Sequence, residues 1–117
     1  MSLATRKLSE KIVTKQIVSF MQAHRWRAIR LQSGLFSRPM SQSRVRIGES
    51  GMPDWVFVRH CVSGWDEVLF LEIKATEGLL TDAQMDWHSQ ARRDGFEVRW
   101  FGRFEDFEEF YRGTYVP

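Results

Sequence analysis

Three residues of this chain have types and spacing that suit joint chemistry: Asp54, Glu72 and Lys74. Glu72 and Lys74 stand two apart after the apolar run Val68-Leu-Phe-Leu71, and residues i and i+2 of a strand share one face. A buried charge costs several kcal/mol unless it is paired or metal-bound. Two charges at the end of a core strand therefore need a reason. Emergence of the strand into solvent at Glu72 would be one. Asp54 offers another. Segments 54–60 and 67–74 flank a turn at Ser63-Gly64 and read as a hairpin. With the turn centred near Ser63, Asp54 falls opposite Glu72, and facing residues have Cβ atoms about 4.5–5.5 Å apart. Two carboxylates at that separation repel unless a cation lies between them. A hard divalent cation, Mg²⁺ or Mn²⁺, binds through one or two carboxylates and completes its shell with water and phosphate oxygens. Such a cation acidifies water, and a lysine beside it can position that water or stabilise charge developing at phosphorus. The trio predicts a site for phosphodiester hydrolysis.

The elements that must position these residues follow from periodicity. Residues 9–24 read as an amphipathic helix, with Ile12, Val13, Ile17, Phe20, Met21 and His24 at helical spacing and Ser9 as its cap. Residues 26–32 read as a strand. Residues 33–52 form a long polar stretch with room for a short strand at 45–47; loops of that length are usually functional or mobile. Thr81 opens a helix that runs to about Asp94 and is ended by Gly95. Residues 96–101 read as a strand and 104–111 as a short amphipathic helix. The resulting fold class is α/β, a mixed sheet flanked by helices in the order α-β-β-β-α-β with a C-terminal helix. Thr81-Asp-Ala-Gln84 has the pattern of a capping box. Gly51 suits a permissive turn, and Pro53 fixes the entry to a strand.

Composition excludes much else. With 117 residues the chain reads as one domain, 1–117, and 43% hydrophobic and 27% charged residues exclude a disordered tail or low-complexity linker. No apolar run approaches the roughly 18 residues of a membrane span. The first residues show charge without a following apolar stretch, so no secretory signal is expected. A single cysteine, Cys61, fits a reducing compartment, and a bacterial or phage-infected cytoplasm is the expected location. His24, His60 and His88 are scattered and give no zinc spacing. Trp87, Trp100, Phe101, Phe104, Phe107 and Phe110 read as core rather than as base-stacking platforms. The net charge of +2 hides an asymmetry: residues 1–50 hold ten basic residues against two acids, and residues 51–117 hold seven against thirteen. Either the two halves neutralise each other across the fold, or the basic half faces a polyanion.

Gly51-Met-Pro-Asp54, Leu71-Glu-Ile-Lys-Ala75, and Gln84 with Trp87 on the next helix together resemble the PD-(D/E)xK nuclease superfamily. The closest resemblance is to the stand-alone phage or bacterial type of the virus-type replication-repair nuclease (VRR-NUC) domain, over roughly residues 9–101. It implies that Asp54 and Glu72 are metal ligands, joined by the Ile73 carbonyl. It also implies that Lys74 is the catalytic lysine and that Gln84 sits beside the site. The family carries a further acid on its first helix, at the position that Ile12 occupies here. Glu10 is the available candidate, from one turn earlier or in a shifted register; an acid there also suits the helix dipole.

Lys7, Lys11 and Lys15 recur four apart and predict a basic stripe on the first helix. With Arg30 and the loop arginines Arg38, Arg44 and Arg46 they predict a phosphate-binding face. The expected function is a divalent-metal-dependent DNA endonuclease. Small stand-alone members of the family resemble Holliday-junction resolvases, so branched DNA and a homodimer are expected, with roles in recombination or repair. The alternatives are a non-catalytic DNA-binding module that retains the fold and a sequence-specific restriction-type nuclease, for which 117 residues leave little base readout.

Overall fold

The computed structural model describes residues 7–31, 34–37, 44–61 and 64–116; for 34–37 and 44–47 only the backbone is described. Helix α1 (Glu10–Ala23) begins where the Ser9 hydroxyl accepts the Ile12 N–H at 3.3 Å. It buries Val13, Ile17 and Met21, one residue per turn. Ile12, which the sequence pattern groups with them, is 47% exposed. Strands β1 (Arg27–Arg30), β4 (Trp55–His60), β5 (Asp66–Ile73) and β6 (Val98–Phe101) form one sheet in the order β1-β4-β5-β6. The first two pairings are antiparallel and β5–β6 is parallel. Helix α2 (Asp82–Arg93) makes the crossover between the parallel strands, as a βαβ connection must. Helix α3 (Phe104–Thr114) closes the described chain.

The long polar stretch is more structured than its composition suggests. Strands β2 (Gly34–Ser37) and β3 (Arg44–Ile47) pair antiparallel as a separate two-stranded ladder. The expected short strand at 45–47 is β3; its partner β2 is too short, and too rich in glycine and serine, to show a period of two.

β5 divides the molecule into layers. Leu69, Leu71 and Ile73 are buried and pack with Val13, Ile17 and Met21 of α1 and Phe107 and Tyr111 of α3. The even residues face the other way, where Phe70 meets Trp87 of α2, with ring centroids 5.4 Å apart. The fold is therefore helix, sheet, helix, with α1 and α3 on one face and α2 on the other. Phe107 belongs to the first layer's buried core, and half-buried Phe101, Phe104 and Phe110 pack against it. Trp87 does not: it is half-buried on the opposite face.

Candidate active site

The β4–β5 register places Trp55 against Leu71 and His60 against Asp66. Extended by one pair, it sets Asp54 opposite Glu72, as the turn position predicts. Asp54 is held from both sides. Its carbonyl accepts the Leu31 N–H at 2.6 Å, which ties it to the end of β1, and Pro53 before it is fully buried. Gly51 has φ +82, and a Cβ there would lie 2.1 Å from the Ala83 carbonyl oxygen. Glycine is thus required by conformation and by contact, because the Gly-x-Pro-Asp segment packs against the first turn of α2.

Glu72 is 2% exposed. Burial is the main cause that raises its carboxyl pKa from an ordinary 4.5 to about 7. The neighbouring Asp54 adds to the rise, the Lys74 ammonium opposes it, and Glu10 and a hydrogen bond shared with Asp54 raise it further. Glu10 reaches this point from the first turn of α1. Glu10, Asp54 and Glu72 each offer a carboxylate oxygen, and these lie within 4.8 Å of one another. Glu10 thus lies with Asp54 and Glu72, while Ile12 occupies the position at which the resemblance expects an acid. The entry to α1, two residues before Glu10, is fixed by a contact the sequence does not announce. The Leu8 N–H donates to Thr76 Oγ1 at 3.0 Å, and the Thr76 N–H donates to the Leu8 carbonyl at 3.0 Å. Thr76 in turn donates its hydroxyl to the Gly102 carbonyl at 3.1 Å. This buried threonine, two residues past Lys74, joins the start of α1 to the ends of β5 and β6. Nothing in the local sequence marks it.

Gln84 has both roles that its position allows. Its Oε1 accepts the Thr81 N–H at 2.9 Å, and its own N–H donates to Thr81 Oγ1 at 3.2 Å, completing the capping box. The remaining end of the amide, Nε2, donates to Glu72 Oε1 at 3.1 Å. The cap thus fixes which end of the amide faces the carboxylate.

Beside Asp54 lies a polar cavity of about 250 Å³, walled by Glu10, Lys11, Thr14, Arg30, Asp54 and Trp55. Arg30 lies over the Trp55 ring, 5.8 Å from its centroid. Lys11 and Arg30 are thus within the same hollow as two of the acids. Lys7 does not share the helical stripe: Ser9 caps α1, so Lys7 precedes it, and its ammonium lies 3.1 Å from Glu77. Lys15 is exposed on α1. Arg38 lies outside the described residues, and of Arg44 and Arg46 only the β3 backbone is described. The histidines stand elsewhere: His24 bonds the Phe20 carbonyl, His60 pairs with Asp66, and His88 is a buried residue of α2. No described helix is long and apolar enough to cross a membrane.

Compared with known protein families, residues 5–102 match the model of the VRR-NUC domain. Neither the curated proteins nor the solved structures show a significant match to the chain.

Proposed function

The chain belongs to the VRR-NUC domain family, and on that premise we propose that it is a divalent-metal-dependent endonuclease that cuts branched DNA as a homodimer. Membership implies a nuclease of the PD-(D/E)xK type. The observation that carries the reading is the convergence of Glu10, Asp54 and Glu72, with carboxylate oxygens within 4.8 Å of one another. An all-oxygen donor set suits a hard divalent cation, Mg²⁺ or Mn²⁺. Glu72 supports the fit, because a buried carboxylate crowded by two others lacks a positive partner strong enough to keep it ionised.

In this reading the three acids hold the ion. Ile73 adds its backbone carbonyl, since its side chain is in the core. The ion supplies Lewis-acid stabilisation of charge on the phosphoryl oxygens. Lys74 orients the attacking water and stabilises the charge that builds at phosphorus. Gln84 holds the Glu72 carboxylate in one orientation. Hydrolysis forms a bond from the water oxygen to phosphorus and breaks the bond to the leaving oxygen, which takes up a proton. Lys7, Lys11, Lys15, Arg30, Arg38, Arg44 and Arg46 are the proposed phosphate contacts. Branched DNA is favoured because small stand-alone members of the family resemble junction resolvases. Paired nicks at a junction need two sites related by a two-fold axis, which a homodimer provides.

The test compares the wild type with Lys74→Ala on labelled four-way junction, splayed-arm and linear duplex DNA, with Mg²⁺ or Mn²⁺ and with EDTA. The expected result is metal-dependent cutting by the wild type, no cutting in EDTA, and binding without cutting by the variant. Symmetric nicks in the junction support the dimer. If both proteins bind every DNA and cut none, the hydrolase reading fails and a binding module replaces it.

A further inference from the structure

Three of the segments that build the site, those carrying Asp54, Glu72 and Gln84, continue one step further along into a second feature of different chemistry. Phe70 precedes Glu72 by two residues on β5 and shares its face. Trp87 follows Gln84 by three residues, about one turn along α2. Met52 precedes Asp54 by two residues. With Phe96 these residues wall a cavity of about 420 Å³, which Glu49 and Asp94 also line. The rings stand edge to face: Phe70 lies 5.4 Å from Trp87 at 62° and 5.9 Å from Phe96 at 87°. Phe96 is 53% exposed, so the aromatic wall is open to a ligand. The Trp87 indole N–H donates to Glu49 Oε1 at 3.3 Å, which holds that carboxylate at the cavity.

Each property of this cavity selects its occupant. Two strand residues span about 6.6 Å, so the aromatic wall lies about one nucleotide's reach from Glu72. A phosphate is disfavoured, because both acidic side chains that line the cavity repel it and its walls are apolar. A planar base is favoured: aromatic side chains stack any base, and carboxylates accept hydrogen bonds from exocyclic amines such as that of cytosine. A base paired and stacked within a duplex cannot enter. We infer that this cavity takes an unpaired nucleobase of the DNA strand whose phosphodiester lies at the acidic cluster, and so favours branched substrates in which a base is unpaired at the cut, as at a splayed arm or an opened branch point. The inference rests on the nuclease reading for the position of that phosphate, and it adds a base subsite to it.

The test separates the two. Binding is measured by fluorescence anisotropy in the Lys74→Ala background with Mg²⁺. The probes are a labelled decamer of deoxycytidine, the same backbone with abasic residues, and a fully paired duplex. The decamer is expected to bind about tenfold more tightly than its abasic counterpart. Trp87→Ala and, separately, Phe96→Ala should abolish that difference and leave duplex affinity unchanged; the exposure of Phe96 makes its replacement the milder for folding. Equal binding of the decamer and its abasic counterpart overturns the base subsite, whatever the cleavage result. So does a loss of duplex and decamer binding in equal measure. If the base preference holds while the wild type cuts no DNA, the subsite stands and the hydrolase reading falls.

Discussion

Glu72 enters the folded protein at a disadvantage as an anion, since burial, Asp54 and Glu10 all favour its neutral form and only Lys74 opposes them. That imbalance has a sign that can be measured. Its folded pKa, about 7, lies above its ordinary 4.5. The stability it contributes is therefore fully present below about pH 4.5 and is lost as pH rises through 7. Without metal, the loss attributable to Glu72 between pH 4.5 and 8 is roughly 3 kcal/mol. Urea unfolding in EDTA should show this as an extra fall in the wild type relative to Glu72→Gln. Added Mg²⁺ should stabilise the wild type more at pH 8 than at pH 5. Equal falls in the two proteins would show that the carboxylate is not strained. At this scale Asp54, Glu72 and Lys74 are legible in the sequence because strand alternation and turn position are local rules. Glu10 is not settled by sequence. Its place depends on the Leu8–Thr76 hydrogen bonds, which link residues 68 positions apart.

Among the elements, α2 does the most to shape the site, and it does so through its first turn. Thr81 and Gln84 cap the helix reciprocally while Gln84 Nε2 reaches Glu72. Removing the threonine hydroxyl should cost about 1 kcal/mol of stability. Because the cap also pins the glutamine amide, Thr81→Ala should slow DNA cutting severalfold, and Thr81→Ser, which restores the hydroxyl, should recover both. A stable but uncapped variant that cuts at the wild-type rate would refute the link between cap and site. The capping box is readable from four residues. Its second duty is not, because nothing in the sequence says that α2 begins over Glu72. Gly51 shows the same limit: its pattern announces a turn glycine, whereas its tight approach to Ala83 comes from packing between segments. The β2–β3 ladder is only half readable, since strands of four residues carry too few alternations to stand out from a polar loop.

For the molecule as a whole, the charge asymmetry acquires a location. Glu10, Lys11, Thr14 and Arg30 come from the basic half of the sequence, and Asp54 and Trp55 from the acidic half, yet they wall one hollow. The two halves of the sequence thus meet in one hollow beside the acidic cluster. On the proposed reading, a polyanion drawn to Lys11 and Arg30 would come next to carboxylates that repel it, and a divalent cation held by those carboxylates would offset that repulsion. Binding should therefore depend on salt through the cations and on metal through the acids, and the two dependences should separate. Removing one cation that neutralises a phosphate lowers the slope of log affinity against log salt by about 0.9 for duplex DNA. By the same rule Lys11→Ala with Arg30→Ala should reduce the slope by about 1.8 and weaken binding at low salt, while the Mg²⁺ concentration for half-maximal thermal stabilisation does not rise, because the lost charges are cations beside the acids. Glu10→Gln should do the reverse, leaving the slope and shifting the Mg²⁺ requirement upward. An unchanged slope in the double variant would mean that the phosphates run elsewhere, over the remaining basic residues, and that the hollow beside Asp54 is not their path.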